Sequence, residues 1–475
     1  MSSVGTTSNP LRVAIIGSGP SGFYAAEALT KKAAIEAEVD IFDRLPTPYG
    51  LVRGGVAPDH LKIKSVTRVY ERIAALDNVR FFGNVEFGKD ILLADLQQQY
   101  HAVLFAVGSA SDKKLGIPGE DLKGSFAATE FVGWYNGHPD YRHYDFELDK
   151  VESVAVVGVG NVAMDVTRIL ARSQAELMET DIADDALEAL ANSGVKKIYV
   201  LGRRGPAQAA FTNPEIKELG EMEEADIVVP MADATLDALS EAYMESDKAD
   251  KKDIRNVEIL KEYANREPEG KPKQIIMRFL VSPTELIGTD HVEAVKIVKN
   301  ELYQDDRGNL RPRATDQEET FPVDLVFRSV GYRGVPLADV PFYDKWGTIP
   351  NVDGRIVKEF GSEEAVPGMY VAGWIKRGPS GIIGTNRPDA VESVNALLAD
   401  VDSGTLWSPS QTDRAAMVNL LKERNVRYVT WQDWLRLDQL ELERGKVAGR
   451  PRVKFTTIKA MLDALDEAKN AAPGD

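Results

Sequence analysis

Cysteine is absent from this chain of 475 residues. Without thiolates the chain cannot form a disulfide, a thiolate metal site, a cysteine-ligated iron–sulfur cluster or a redox-active dithiol. No apolar run approaches the ~20 residues that a membrane-spanning helix needs. The N-terminal stretch MSSVGTTSNPL is polar and lacks a cationic segment, so it predicts no targeting peptide. We therefore expect a cytoplasmic protein with a flexible segment over residues 1–10.

Positive charge is scarce relative to negative charge. The chain has 57 lysines and arginines against 74 aspartates and glutamates, a formal net charge of -17. Nucleic acids and anionic membranes normally bind a basic face, so neither is the expected main partner. The length is sufficient for two or three domains with full hydrophobic cores. We expect a monomer without a metal site.

A glycine fingerprint stands near the start, in RVAIIGSGPSGFYAAEAL. A buried-strand pattern runs directly into Gly17, Gly19 and Gly22, and a helical pattern follows. The first glycine permits a tight turn, the second lets backbone approach a pyrophosphate, and the third lets helix and strand pack closely. Asp43 follows Gly22 by 21 residues, near the ~20 typical of an acid that binds a ribose hydroxyl. The alternative is a glycine-rich surface turn with an exposed aspartate.

A second fingerprint lies in VESVAVVGVGNVAMDVTRIL. Here a strand pattern meets Gly158 and Gly160, and Ala163 replaces the third glycine while still permitting close packing. A helical pattern follows again. The two fingerprints together predict two bound dinucleotides.

Two adjacent arginines, Arg203 and Arg204, stand where the second fingerprint would otherwise have its ribose-binding acid. They follow Ala163 by about twice the usual interval because a segment with helical spacing is inserted, and Gly194 is its plausible C-cap. The strand pattern KKIYVLG then leads to the pair. A planar guanidinium matches phosphate oxygens, so the pair favours NADPH over NADH through its 2′-phosphate. A structural salt bridge is the alternative.

The order of the patterns predicts an α/β protein with two Rossmann-like dinucleotide-binding domains. Residues 11–110 and 335–475 are predicted to form the first domain, because no third fingerprint follows Gly334. Residues 111–334 are predicted to form the second domain, inserted in the first. Residues 442–454 contain five cations and one acid, which does not by itself locate a basic patch.

The motifs GSGPSG, LPTPYGLVRGGVAPDH, GVGNVAMD, GRRGPAQAAFTNPEIKEL and GWIKRGPSGIIGTN occur here in this order. With GRPRVKF near the C-terminus, they resemble the adrenodoxin reductase-like ferredoxin-NADP reductases, especially the bacterial members. The resemblance implies that FAD occupies the first fingerprint and NADP(H) the second. Each domain would then carry one cofactor.

The resemblance also implies which residues contact each nucleotide. Those near FAD are Gly17, Gly19, Ser21, Gly22, Asp43, Leu51, Trp374, Gly381, Ile382 and Ile383. Those near NADP(H) are Lys113, Gly160, Asn161, Val162, Ala163, Arg203, Arg204, Glu215 and Gly381. Asp43 stands where the family usually has glutamate, and Lys113 where relatives can have arginine.

His60 and Glu218 match family positions that form an ion pair beside the nicotinamide. Such a pair would orient the nucleotide or hold a charge state there. The alternative is that His60 starts a helix over LKIKSVTRVYERIAAL, in which Ile63, Val66, Tyr70 and Ile73 have core spacing.

The function implied is that of an FAD-containing ferredoxin-NADP(+) reductase. A hydride would pass from NADPH to FAD, and single electrons would then pass to an iron–sulfur ferredoxin. A pyridine nucleotide-disulfide reductase would need cysteines, and a glutamate synthase-like flavoprotein would accompany cysteine-rich segments. An NADPH reductase of quinones or other small acceptors stays open as an alternative, and a nucleotide sensor without turnover is disfavoured by the second fingerprint.

Overall fold

The chain divides into two compact units. The computed structural model describes residues 4–31, 35–401 and 403–471. One unit contains residues 1–56, 60–112 and 331–475, and the other contains 57–59 and 113–330. The second unit therefore interrupts the first along the chain. Its main segment begins two residues after the start, and ends four residues before the end, that the sequence suggests. The grouping of residues 57–59 with the second unit was not expected. Which unit binds which cofactor stays a prediction.

The first unit contains a seven-stranded sheet. Its first three strands pair antiparallel, and the others pair parallel. The apolar residues of the central strands are buried on both sheet faces, as expected for parallel strands covered by helices. In spatial order the strands are Asn351–Val352, Arg355–Val357, Ala365–Val371, Ala102–Phe105, Leu11–Ile16, Ala37–Phe42 and Val79–Phe82.

The helices of this unit include one short 3₁₀ turn, Ile383–Thr385. They are Pro20–Thr30, Leu51–Gly54, Leu61–Lys64, Thr67–Ala74, Leu93–Gln99, Trp374–Arg377, Ile383–Thr385, Asn386–Asp400, Ala416–Glu423, Trp431–Ala448 and Ile458–Ala471. A two-stranded ribbon pairs Ser111–Asp112 with Tyr332–Arg333. Of the predicted flexible segment, residues 1–3 lie outside the described residues, and the Gly5 and Thr6 amides both donate to the Asn9 carbonyl.

The expected continuous helix after His60 is wrong. Two short helices, Leu61–Lys64 and Thr67–Ala74, replace it, and residues 65 and 66 lie between them. Tyr70 and Ile73 are buried, but the Ile63 side chain is 46% exposed because it lies in the first short helix. The spacing therefore predicts the core face of the second helix only.

The second unit contains a six-stranded sheet whose neighbouring strands are all parallel. In spatial order its strands are Ser125–Ala127, Leu325–Arg328, Ser153–Val157, Lys197–Gly202, Lys273–Phe279 and Ala225–Val228. A separate antiparallel sheet contains Val281–Ile287, Ala294–Gln304 and Leu310–Pro322. The helices, including three 3₁₀ turns, are Ala128–Tyr135, Pro139–Tyr141, Leu148–Lys150, Asn161–Ala171, Gln174–Met178, Asp184–Ala191, Pro206–Gln208, Asn213–Leu219, Met231–Ala234, Ala238–Met244 and Lys251–Ala264.

The insertion before the arginine pair contains two helices, of which the second ends at Ala191 with Asn192 as its C-cap. The expected C-cap at Gly194 is therefore wrong. An added Cβ at Gly194 would lie 3.1 Å from the carbonyl oxygens of Asp149 and Val151. Close packing against another chain segment, rather than helix termination, accounts for this glycine.

Most cations of the C-terminal segment 442–454 are buried or ion-paired inside the first unit. Arg452 pairs with Asp438 at 2.6 Å and with the fully buried Glu441 at 2.8 Å. Arg450 and Lys454 are also buried. Burial raises the pKa of Glu441, but the charges and hydrogen bonds of Arg53 and Arg452 outweigh it, so this pKa is lowered. The local excess of cations therefore reflects internal pairing more than a surface patch.

Among residues 4–31, 35–401 and 403–471, no helix is long and apolar enough to cross a membrane.

We expect the free energy of unfolding to depend on pH because of the buried His101. Its side chain is buried, and its Nδ1 accepts a hydrogen bond from the Arg12 amide at 3.0 Å. Burial, with a smaller contribution from the Arg12 charge, lowers the pKa of His101 to about 4. An unfolded histidine titrates near ~6.5, so the stabilisation is present above that pH and is lost as pH falls toward 4.

We expect the free energy of unfolding to decrease by about 2 kcal/mol more in the wild type than in His101→Gln between pH 7 and pH 5. Glutamine retains an acceptor but does not titrate. Urea denaturation at both pH values measures the difference, and His143→Gln controls for the loss of one histidine. An equal pH dependence in wild type and His101→Gln would contradict the assignment.

Candidate functional site

The first fingerprint forms a tight turn between a strand and a helix. Gly17 has a φ of +109°, which favours glycine. An added Cβ at Gly22 would lie 2.1 Å from the Gly17 carbonyl oxygen, so helix and strand pack too closely for a side chain. An added Cβ at Gly19 would meet no atom within 4 Å. The turn thus leaves open space at the start of Pro20–Thr30, where helix amides bind phosphate.

Asp43 lies directly after the neighbouring strand Ala37–Phe42. Its Oδ2 accepts hydrogen bonds from the Ser18 amide at 3.0 Å and the Ser18 hydroxyl at 2.5 Å. Its Oδ1 accepts one from the Leu45 amide at 3.0 Å. The carboxylate is therefore fixed beside the glycine turn, and Oδ1, which accepts one hydrogen bond, retains a lone pair for a ribose hydroxyl. Sequence reasoning did not identify Ser18.

A second helix begins beside the first turn. The Ser21 hydroxyl donates to Asn386 Oδ1 at 3.1 Å, and Asn386 is the first residue of Asn386–Asp400. An added Cβ at Gly373 would lie 2.3 Å from the Ser21 hydroxyl oxygen. Two helix N-termini therefore meet at this turn, and their dipoles both favour negative charge there. Ser21, predicted near the FAD phosphates, uses its side chain to join the two helices.

The segment around Leu51 passes close to the first turn. Gly50 has a φ of +50°, and an added Cβ there would lie 3.1 Å from the Gly19 Cα. Leu51 itself is 38% exposed. This segment therefore borders the space that the glycine turn leaves open.

Of the residues predicted near FAD, Trp374 begins the short helix Trp374–Arg377, and Gly381, Ile382 and Ile383 lie in and just after the loop that follows it. Trp374 Nε1 donates to the Ser380 carbonyl at 3.2 Å. Gly381 has a φ of +80°, and an added Cβ would lie 2.2 Å from the Thr385 hydroxyl oxygen. Ile382 is 66% exposed, and Ile383 is half-buried. Exposed apolar groups on a constrained loop provide a surface on which an aromatic ring can pack.

The second fingerprint repeats the geometry of the first. Gly158 has a φ of +136°, and an added Cβ would lie 2.3 Å from the Ser329 carbonyl oxygen. An added Cβ at Gly160 would meet no atom within 4 Å, and Ala163 is fully buried. Asn161–Ala171 starts at this turn, so Asn161 and Val162 contribute its first amides.

The segment 210–212 is attached to the second turn. The amides of Ala210 and Phe211 donate to the Val159 carbonyl at 2.9 and 3.1 Å. Asn161 Oδ1 accepts a hydrogen bond from the Thr212 amide at 2.9 Å. The Asn161 side chain therefore fixes this segment, and its backbone amide belongs to the helix start.

Arg203 and Arg204 follow the strand next to the second fingerprint strand. Arg203 is exposed and Arg204 is half-buried. Neither forms an ion pair with a carboxylate among the residues that the structure describes, which contradicts the salt-bridge alternative. Burial, followed by the positive charges of Arg203 and Arg311, lowers the pKa of Arg204. Asp253 acts on Arg204 in the opposite direction but does not outweigh these effects, so the pair keeps an excess of positive charge at the edge of the second turn.

Glu215 belongs to a buried charge network in the second unit. It accepts a hydrogen bond from Arg168 Nη1 at 2.9 Å. Arg168 is fully buried and also pairs with Asp59 and Asp165, each at 2.6 Å. Burial acts to lower the pKa of Arg168, but these carboxylates outweigh it and raise the pKa. Sequence reasoning missed Arg168 and Asp59, although the i,i+3 spacing of Asp165 and Arg168 was visible.

The other predicted residues lie in different units. His60 precedes Leu61–Lys64 in the first unit and makes no capping side-chain hydrogen bond within the described residues. Glu218 lies in Asn213–Leu219 of the second unit, 3.5 Å from Arg168 Nη1. Lys113 is exposed at the start of the second unit's main segment. The ion pair of His60 with Glu218 and the nucleotide contact of Lys113 stay predictions.

Comparison with known proteins gives matches over most of the chain. Residues 11–201 match the family model for pyridine nucleotide-disulphide oxidoreductases. NADPH-ferredoxin reductase FprA of Mycobacterium tuberculosis is 43% identical over 461 residues, 95% of this chain and 98% of that protein. The mitochondrial NADPH:adrenodoxin oxidoreductase of Arabidopsis thaliana is 40% identical over 468 residues, 96% of each chain.

A solved structure also matches most of this chain. Mycobacterium tuberculosis FprA in complex with NADPH superimposes with a TM-score of 0.88 and 42% identity, covering 96% of this chain and 100% of that chain. The expected α/β class with Rossmann-like domains is confirmed.

The open spaces at Gly19 and Gly160 predict a double dissociation. Valine at either position meets no protein atom at its Cβ, so both variants should fold, but each adds a side chain at the residue directly before its helix. We expect Gly19→Val to purify without the yellow colour of FAD. We expect Gly160→Val to stay yellow and to bind NADPH at least about tenfold more weakly, because the pyrophosphate loses amide hydrogen bonds.

Absorbance at 450 nm and calorimetric titration with NADPH measure the two effects, and circular dichroism checks folding. Each variant is the control for the other. Loss of colour in both variants, or in neither, would show that the two turns do not bind separate nucleotides.

Proposed function

The chain belongs to the adrenodoxin reductase-like family of ferredoxin-NADP reductases, and we infer that it is an FAD-containing NADPH:ferredoxin oxidoreductase. The observation that carries this inference is the difference between its two glycine turns. An acid fixed by hydrogen bonds borders the first turn, whereas two arginines without a carboxylate partner among the described residues border the second. An adenosine ribose suits the first arrangement, and a 2′-phosphate suits the second.

The first turn fits FAD. Gly17, Gly19 and Gly22 leave space for a pyrophosphate at a helix N-terminus, and Asp43 is held where a ribose hydroxyl can donate to it. The helix starting at Asn386 adds a second positive terminus at this turn. Leu51, Trp374 and residues 381–383 would provide the apolar surface around the flavin ring.

The second turn fits NADPH. The amides at Gly160, Asn161 and Val162 would bind the pyrophosphate, as at the first turn. Arg203 and Arg204 would bind the 2′-phosphate, because two adjacent cations that form no ion pair with a carboxylate of the described residues attract an anion of high charge. NADH lacks this phosphate and would not benefit from the pair.

Cofactor and protein divide the chemistry. When bound, FAD accepts a hydride from NADPH and releases the electrons one at a time. The helix N-termini at Pro20 and Asn386 stabilise negative charge near the first turn. Arg168 orients the Glu215 carboxylate, which would contact the nicotinamide-side ribose or amide. His60 and Glu218 would orient the nucleotide, and neither is needed as a proton donor because hydride transfer requires none.

The acceptor is an iron–sulfur ferredoxin, by analogy with the names of the relatives. The monomeric state and the cytoplasmic location expected from the sequence stay predictions.

Anaerobic kinetics test the acceptor. Purified yellow protein is reduced with NADPH and mixed in a stopped-flow instrument with candidate ferredoxins and quinones. We expect NADPH to bleach the flavin absorbance, and ferredoxin to be reduced rapidly with saturation. Gly160→Val, reduced chemically with dithionite, is the control, because it should still reduce ferredoxin although NADPH binds it weakly. Slow reduction of ferredoxins beside fast, saturable reduction of quinones would instead identify a quinone reductase.

A further inference from the structure

The backbone of the arginine pair is held by the antiparallel sheet of the second unit. The Arg203 carbonyl accepts a hydrogen bond from Asn300 Nδ2 at 2.9 Å. The Arg204 carbonyl accepts one from the Leu280 amide at 3.1 Å. Both donors come from residues far along the chain, since Asn300 is 97 residues from Arg203. The turn that carries the two cations is therefore fixed from outside its own strand.

Asn300 is a buried polar residue with both side-chain amide hydrogens in use. Its exposure is only 4%, and Nδ2 also donates to the Ser282 hydroxyl at 2.8 Å. Its backbone amide donates to the Leu280 carbonyl at 2.6 Å. The side-chain nitrogen Nδ2 has two hydrogens to donate, and the bonds to the Arg203 carbonyl and the Ser282 hydroxyl use both. These two bonds fix the orientation of the side chain.

The local strand geometry is irregular where Asn300 lies. The register between Ala294–Gln304 and Leu310–Pro322 shifts between Val298 and Asn300. Leu280, which bonds to both Asn300 and Arg204, has a φ of +53°, a conformation uncommon for a residue other than glycine. A register shift changes the direction of side chains, and here it accompanies an asparagine amide aimed at the Arg203 carbonyl.

The charge distribution explains why such fixation matters. Arg203 and Arg204 are adjacent like charges, and Arg311 of Leu310–Pro322 adds a third positive charge that acts on Arg204, which the negative charge of Asp253 does not outweigh. Mutual repulsion drives such side chains and their backbone apart unless the turn is held. Hydrogen bonds to the two carbonyls oppose this without adding a negative charge that would neutralise the pair.

We propose that Asn300 is a positioning residue for NADP(H) selectivity, which holds the Arg203 carbonyl so that both guanidinium groups face the 2′-phosphate. This inference rests on the proposed function, because it assumes that the arginine pair binds that phosphate. Asn300 itself would not touch the nucleotide. Its removal should therefore weaken the interaction with the phosphate and leave the rest of the nucleotide bound as before.

The experiment compares binding and turnover of two nucleotides in the full-length, FAD-loaded protein. Calorimetry gives the Kd of NADP⁺ and NAD⁺, and anaerobic flavin reduction gives kcat/KM for NADPH and NADH. We expect Asn300→Ala to weaken NADP⁺ binding by about fivefold and to change NAD⁺ binding by less than about twofold. Ser282→Ala, which frees one amide hydrogen of Asn300, should shift selectivity in the same direction by about twofold.

Two further variants define the interpretation. Arg203→Ala with Arg204→Ala should weaken NADP⁺ binding more strongly than Asn300→Ala and leave NAD⁺ nearly unchanged. Asn136→Ala removes a buried asparagine of the same unit that donates to the Val132 carbonyl, and it should lower the melting temperature without changing selectivity.

Each outcome supports or overturns the inference. Selective weakening in the arginine, Asn300 and Ser282 variants supports it, and the Ser282 result suffices where Asn300→Ala does not fold. The positioning role is overturned if the arginine variant loses NADP⁺ affinity selectively while Asn300→Ala and Ser282→Ala weaken the binding of both nucleotides equally. It is also overturned if these two variants weaken the binding of neither nucleotide. In both cases the proposed function stands. If the arginine variant weakens both nucleotides equally, reading of the phosphate by the pair is overturned, and the role of Asn300 with it.

Discussion

Close packing of a helix against the end of a strand is the constraint on which both nucleotide sites depend. At Gly22, in the first helix, an added methyl group would lie 2.1 Å from the Gly17 carbonyl oxygen, and at Gly158, in the second turn, it would lie 2.3 Å from the Ser329 carbonyl oxygen after the neighbouring strand. Ala163 at the second turn is fully buried, so a larger side chain has no space there either. This packing directs the free amides of each helix start toward one point. The space left at Gly19 and Gly160 is where a pyrophosphate can approach those amides.

The two sites differ in the electrostatics of the residue that follows the neighbouring strand. Asp43 has its carboxylate satisfied by Ser18 and Leu45, so it is oriented and still able to accept. Arg203 and Arg204 have no carboxylate partner among the described residues, and burial and repulsion lower the pKa of Arg204. In the proposed NADP(H) site, a bound 2′-phosphate would relieve that repulsion. The same turn geometry would thus serve two nucleotides because the adjacent strand end carries opposite charge.

Local features of the site were predictable from sequence. The glycine spacings, the strands before them and the arginine pair are set by residues near one another in the chain, and the family resemblance added FAD, NADP(H) and ferredoxin. Helix limits were less predictable, because the apolar spacing through Ile63 does not show that the chain leaves the helix near Ser65. Gly194 was assigned to a helix end, although close packing against Asp149 and Val151 accounts for it.

Long-range polar contacts were not predictable, because no spacing rule connects their members. The Ser21–Asn386 hydrogen bond joins residues 365 positions apart, and Asn300 lies 97 positions from Arg203. The burial of Arg168 with Asp59 depends on three residues of the connecting segment that group with the second unit. Such contacts orient the residues that local motifs identify, so a sequence can identify a site and still not show what positions it.

The central claim is that the arginine pair reads a phosphate on the adenosine ribose. Calorimetric titration of the full-length protein with 2′,5′-ADP and with 5′-AMP tests it directly, since the second ligand lacks the 2′-phosphate. We predict that 2′,5′-ADP binds at least about tenfold more tightly at low ionic strength, and that added KCl reduces this advantage. Equal affinities for the two ligands at low ionic strength would contradict the account.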